Sequence, residues 1–295
     1  MPLKARKPEI HPNPRLKFLI SGKSGVGKTY FALNFPKPYF IDTEGGAKLK
    51  EYQEKLIAAD GAYMGVKEGA QDFYTIIDEI KELATVQHDY KTLIIDSFSK
   101  VYLTYAAIKE EKVGYDFNRD RKEANRPSRQ LMRWLEQIDM NVILICHQKD
   151  KWEKKPTKDK QELVYSGTTY DGYDKIEFDL DLWIEVEMLG KERFYNVKKS
   201  RLPMFPVGEI FALDYKKFVN FYGEDTFNKS TSPITFATQE EIDKLTKYIE
   251  ILNRPTDEVQ GWKVKLNISD WKEATSEQVR NIISILKEKI KEIQK

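Results

Sequence analysis

Eight consecutive residues constrain this chain more than anything else in it: Gly22-Lys23-Ser24-Gly25-Val26-Gly27-Lys28-Thr29. They satisfy G-x-x-x-x-G-K-[ST] in full. An apolar run, Leu16 to Ile20, precedes them, and helix-compatible residues Tyr30 to Phe35 follow, stopped by Pro36 and Pro38. Glycines at this spacing let a backbone wrap an anion and aim its N–H groups inward, while the next helix adds a positive end. A strand, a phosphate-sized turn and a helix in that order belong to an α/β sheet. Lys28 is spaced to reach β- and γ-phosphates, and the Thr29 hydroxyl to hold Mg²⁺. Residues 22–29 therefore predict a site for ATP and Mg²⁺.

The rest of the first half agrees. Tyr39-Phe40-Ile41-Asp42, Thr92-Leu93-Ile94-Ile95-Asp96 and Asn141 to Cys146 read as buried strands. Residues 71–87 carry apolar side chains at helical spacing. Leu131, Trp134, Leu135 and Ile138 stripe a second helix, with Ser128 as its expected cap. Strand-like runs return at 180–188, 193–198 and 209–213, close together and expected as antiparallel additions to a mostly parallel sheet. Asp96 ends its strand where a carboxylate would hold Mg²⁺ through water. Ser97 follows it, so a glutamate base is not supplied there. Glu44 is the candidate to polarise water over the γ-phosphate, and Asp42 competes for that role.

Composition removes other classes. The chain has 49 Lys+Arg against 47 Asp+Glu, net +2, too balanced for a binder that grips DNA with its whole surface. A single cysteine, Cys146, excludes an intrachain disulfide and a thiolate zinc cluster. No apolar run approaches a membrane span, and the proline-broken basic start lacks a signal peptide's core, so a reducing cytoplasm is the expected compartment. Positive charge gathers in four segments, residues 1–17, 117–129, 149–160 and 191–201.

Phe40-Ile41-Asp42-Thr43-Glu44, Leu93 to Ser97 and Ile143-Leu144-Ile145-Cys146-His147-Gln148 together resemble the RecA-type ATPase core. The resemblance implies Glu44 as base, Asp96 as Mg²⁺ ligand and Gln148 as a γ-phosphate sensor that relays to a DNA-binding loop. Val197-Lys198-Lys199-Ser200-Arg201 resembles that family's paired basic residues, which reach a neighbouring subunit's phosphates. Lys199 and Arg201 would be the trans-acting pair, with Lys198 as the substitute, and the protein would be a homo-oligomer, ring or filament. More closely, residues 16–215 resemble phage-encoded RecA-like nucleotide-binding proteins of single-strand annealing and recombination modules. Single-stranded DNA, and a phage single-strand-binding protein or other recombination partner, are the implied partners.

Two basic segments are the DNA candidates. Residues 149–160 hold six Lys and three acids around Trp152, with Tyr165 nearby. Lysine neutralises phosphate while a ring stacks on a base, so Lys149, Lys151, Trp152, Lys154, Lys155 and Tyr165 are the expected contacts in a loop over 149–175. A solvated Lys/Glu hairpin is the alternative. Residues 117–129 form a second candidate loop, with Arg119, Arg121 and Lys122.

Residues 1–15 read as a flexible arm, 16–228 as the ATPase core, 229–236 as a linker, and 237–295 as a helical module. That module opens two helices with capping boxes, Thr238–Glu241 and Thr275–Gln278. Its eleven basic and eleven acidic residues cancel, poor material for an electrostatic grip on DNA. The combined expectation is an α/β, RecA-like P-loop ATPase with a helical appendage that binds single-stranded DNA and promotes annealing or strand exchange. A helicase- or loader-type motor, and a non-enzymatic ATP switch recruiting partners through its helices, are the other classes.

Overall fold

A computed structural model describes residues 13–113, 119–156, 161–266, 268 and 270–293. The chain forms two compact units, Met1–Ser232 and Pro233–Lys295. Among the described residues no helix is long and apolar enough to cross a membrane.

The first unit begins with β1 (Lys17–Gly22), α1 (Lys28–Ala32), β2 (Pro38–Asp42), α2 (Lys50–Ala58), β3 (Ala62–Met64), α3 (Phe73–Thr85) and β4 (Thr92–Asp96). There follow α4 (Phe98–Val113), α5 (Arg119–Gln137), β5 (Asn141–Ile145), β6 (His147–Pro156), β7 (Gln161–Asp171) and α6 (Ile176–Asp179). It closes with β8 (Leu182–Leu189), β9 (Glu192–Ser200), β10 (Ile210–Ala212), α7 (Tyr215–Tyr222) and α8 (Glu224–Asn228). Eight strands make one sheet in the order β10-β9-β8-β1-β5-β4-β2-β3. From β8 to β3 every neighbouring pair is parallel, and β9 and β10 add antiparallel. The α/β fold with a mostly parallel sheet is thus as expected.

The sheet is apolar on both faces, which explains why its central strands read as unbroken apolar runs. Phe18 and Ile20 of β1 join a buried cluster with Phe31, Phe35, Phe205 and Phe218. Phe35 and Phe218 lie 5.9 Å apart and Phe205 and Phe218 4.9 Å apart, centroid to centroid. Leu19, on the alternate face, is equally buried. Residues Phe73, Ile76, Ile77, Ile80 and Leu83 bury one stripe of α3, whose start is capped by Asp72 accepting from Thr75 N at 2.8 Å.

Several sequence expectations need correction. The run at 180–188 is not an antiparallel addition: β8 pairs parallel with β1, because α6 returns the chain to the amino end of β1, where Asp181 N donates to Lys17 O at 2.8 Å. Residues 149–156 and 161–171 are not a loop. They supply most of β6 and β7, a separate two-stranded antiparallel ribbon. Exposed on both sides over much of its length, it has no apolar alternation to announce it. Residues 117–129 are not a loop from Arg119 onward, because α5 runs through Pro127 and Ser128. Proline here removes one N–H without ending the helix. Ser128 sits buried in mid-helix rather than at its cap.

Some residues expected in the arm and the linker make contacts with the first unit. Residues 1–12 lie outside those described. Arg15 is buried and donates to Asp139 Oδ1 (3.1 Å) and to the carbonyls of Thr226, Lys229 and Ser230. Asn13 donates to Tyr222 O, and Tyr222 OH to Pro14 O. Thr231 donates to His88 O and Ser232 N to Asp139 Oδ2. Residues 13–15 and 229–232 are therefore tied to the first unit.

The second unit contains α9 (Gln239–Ile251), α10 (Thr256–Lys265) and α11 (Ser276–Ile293). The Thr238–Glu241 capping box is formed in both directions, at 3.2 and 3.0 Å. So is the Thr275–Gln278 box. Leu245, Trp271, Val279 and Leu286 make its core, and Trp262 packs against it.

Candidate nucleotide-binding site

The parallel strands end together. Asp42 is in register with Asp96, Asp96 with Ile145, and Gly22 with Val186. Loops leaving these ends enclose a cleft of about 970 Å³. At its base the phosphate loop is set by what glycine permits. A Cβ at Gly22 would lie 2.5 Å from Val186 O, and Gly27 has φ +99°, a left-handed conformation that side chains disfavour. Lys28 is buried, and its Nζ donates to Gly22 O (2.8 Å) and Lys23 O (2.7 Å). Burial lowers its pKa, and Asp96 and Glu44 oppose that shift.

Thr29 Oγ1 donates to Asp96 Oδ2 at 2.5 Å. Burial pushes the Asp96 carboxyl up to about 6, against the Thr29 hydroxyl and Lys28, with the Glu44 and Asp42 charges adding to the rise. The Asp96–Ser97 peptide bond is cis. Hydroxyl and carboxylate oxygens are the donors a hard cation takes. Among the described residues no group of three or more His, Cys, Asp or Glu is placed to hold a metal. A Mg²⁺ ion fits as one held by Thr29, Asp96 and nucleotide phosphates.

Two carboxylates two residues apart have separate fates. Asp42 accepts four backbone N–H groups, from Glu44, Gly45 and Gly46 on Oδ1 and from Ala47 on Oδ2. Its carboxylate shapes the turn. Glu44 instead lines the cleft, and its Oε1 takes the Ser97 hydroxyl at 2.6 Å and meets His147 Nε2 at 2.7 Å. Burial would raise the Glu44 pKa, but Ser97, His147 and Lys100 outweigh it and hold the carboxyl below the usual range.

Residues 15–203 match the family model described as an AAA domain. The chain belongs to this AAA domain family. Its P-loop ATPase fold has distant likenesses among solved structures. The RadB recombinase shares 15% identity at a TM-score of 0.42, over 68% of this chain and 86% of that one. A prototypical ATPase from the type III secretion system of pathogenic bacteria shares 14% at a TM-score of 0.36, over 91% and 80%. No curated protein matches the sequence.

Other predicted residues of this AAA domain lie elsewhere. Gln148 is not in the cleft. Alternation along β6 sends it away from His147, and its Nε2 donates to Glu185 Oε1 at 2.8 Å. Glu185 is 1% exposed and also accepts from Thr168, while Lys198 pairs with its other oxygen at 2.9 Å. Lys198 is thereby committed to the root of the ribbon. Lys199 and Arg201 lie at the amino end of the parallel strands, opposite the cleft, since Lys199 is in register with Trp183 and Ser200 with Leu182. They donate to Leu180 O and Phe178 O respectively.

On the ribbon, Trp152 and Tyr165 face each other across the strands, 5.7 Å apart, at 57% and 51% exposure. Trp152 thus packs on the ribbon rather than on the body. Tyr170 and Tyr173 are buried, Tyr170 edge-on to Trp183. Lys149 pairs with Asp171 and Lys151 with Glu153, at 3.0 and 2.8 Å, and Lys154 is exposed. The side chains of Lys155, Arg119, Arg121 and Lys122 lie outside those described.

Among the cleft residues that sequence does not single out, His147 and Arg193 carry the chemistry. His147 stood inside the quoted strand end without a role. Arg193 was one of many basic residues in 191–201. It is the second residue of β9, in register with Met188, at the phosphate-loop end of the sheet, and Nε donates to Val26 O at 3.1 Å. Only strand register distinguishes it from Lys199 and Arg201.

Proposed function

We propose that this AAA domain binds ATP·Mg²⁺ in the cleft and hydrolyses it as part of a DNA recombination protein. The observation that carries the reading is Glu44, poised beside the Thr29–Asp96 pair and oriented by Ser97 and His147. Glu44 polarises the attacking water; Asp42 is unsuited because both its oxygens hold the turn. Lys28 and the loop N–H groups stabilise charge developing on the phosphates. Bound Mg²⁺ would supply neutralisation of the phosphate oxygens. His147, in contact with the base and at the foot of β6, takes the sensing role that the sequence assigned to Gln148.

Single-stranded DNA binds along the ribbon, with Trp152 and Tyr165 stacking on bases and Lys149, Lys151 and Lys154 on phosphates, and the protein promotes annealing or strand exchange. Exposed aromatic rings beside lysines support this. Lys199 and Arg201 face away from their own chain's cleft, so any phosphate they reach belongs to a neighbouring copy in a homo-oligomer.

The test is ATP turnover and nucleotide affinity in Glu44→Gln, with and without single-stranded DNA at low salt. The variant is expected to bind ATP and lose turnover, and the wild type to be stimulated by DNA. Full turnover in the variant would remove Glu44 as base. An unstimulated wild type would remove the DNA assignment.

A further inference from the structure

We infer that Arg193 holds a nucleotide phosphate within its own chain, as a second cation to Lys28. This rests on the cleft being the ATP site. The cleft is poor in positive charge for a polyphosphate. Four carboxylates line it (Asp42, Glu44, Glu51 and Asp96), and among its described lining residues Lys28 and Arg193 are the lysine and arginine. Lys28 lies under the loop, on the carbonyls of Gly22 and Lys23. Arg193 lies over it. A Cβ at Gly27 would be 3.0 Å from Arg193 Nε and 3.1 Å from its Cδ, so the side chain is pressed flat on the loop.

The guanidinium is oriented but not neutralised. Nε is fixed on Val26 O. Among the described residues the η-nitrogens have no carboxylate or carbonyl partner. Lys198, from the same strand, and Arg201, just beyond its end, do have such partners. An arginine locked by one nitrogen on the phosphate loop, with its remaining donors open to the cleft, is pre-organised for a phosphate oxygen. Gly27 is required twice: for its positive φ and for leaving room for this side chain. The β8–β9 hairpin is then a wall of the nucleotide site rather than an edge ornament. Basic residues of β9 divide by register, Arg193 toward its own phosphates and Lys199 toward the opposite end, where Arg201 follows the strand.

The experiment measures binding of ATP, ADP and tripolyphosphate, with Mg²⁺, to wild type, Arg193→Ala, Arg193→Lys and Lys28→Ala, alongside the unfolding temperature without nucleotide. Arg193→Ala is expected to weaken all three ligands by roughly ten- to a hundredfold, the loss of one charged hydrogen-bonding group. Arg193→Lys, keeping the charge but not the Val26 bond, should recover part of the loss. Wild-type affinities in Arg193→Ala, with Lys28→Ala impaired, would overturn the inference and leave the ATP reading standing. Unimpaired Lys28→Ala would instead remove the ATP reading itself. Equal loss in Arg193→Lys and Arg193→Ala, with both unfolding earlier than wild type, would mean that Arg193 only shapes the loop, and would also overturn the inference.

Discussion

The nucleotide cleft and the β6–β7 ribbon leave the same end of the same sheet, yet they hold their charges in opposite ways. In the cleft, Lys28 and Asp96 are buried, with Lys28 Nζ held on the Gly22 and Lys23 carbonyls and Asp96 Oδ2 on the Thr29 hydroxyl. On the ribbon, Lys149 and Lys151 sit in half-exposed ion pairs with Asp171 and Glu153. Pairs of that kind contribute about 0–1 kcal/mol and exchange partners readily. The cleft is therefore built in advance for one ligand geometry. On the proposed reading, the ribbon would trade its carboxylates for nucleic-acid phosphates irrespective of sequence. Residues 147 and 148 join the two regions, His147 on Glu44 and Gln148 on Glu185.

That contrast can be broken or sharpened by substitution. The largest effect is expected from Glu44→Gln, a fall in turnover of roughly 10²–10⁴-fold with ATP affinity kept within a few-fold, read by steady-state and single-turnover ATPase assays. Next comes Lys28→Ala, which should weaken ATP by about a hundredfold or more while single-stranded DNA affinity, measured without nucleotide, stays near wild type. Trp152→Ala should do the converse. One stacked base is worth ~1–3 kcal/mol, so DNA affinity should drop by about five- to 150-fold with ATP affinity unchanged. A matching loss of ATP affinity in Trp152→Ala would erase the distinction between the regions. The smallest effect is expected from Lys149→Ala, a few-fold loss on DNA that shrinks as salt is raised, because exposed charge is screened.

Much of the cleft was legible in the sequence because its signals are local. The phosphate loop needs glycines at fixed spacing between a strand and a helix, and Asp96 needs only to end a buried run. Glu44 and Asp42 could not be separated that way. Their difference is which one the following four N–H groups fold around, a property of the turn. Helix α5 starts at Arg119 rather than at the expected Ser128 cap, because its polar first half has no apolar stripe to show it, whereas Leu131, Met132, Trp134 and Leu135 do stripe its buried second half. The ribbon corresponds to the alternative Lys/Glu hairpin rather than to the expected loop, since two exposed strands have no core face to impose alternation.

By itself, then, the sequence determined the parallel α/β sheet, the phosphate loop and the acid at the end of β4, since each follows from side-chain size and periodicity over a few residues. Tertiary structure alone decided which of the basic residues in 191–201 lies on the phosphate loop. A strand's register against its neighbours places Arg193 on the phosphate loop and Lys199 and Arg201 at the other end of the sheet. Register is a sum of contacts between strands distant in the chain, so no local pattern of lysines and arginines can carry it.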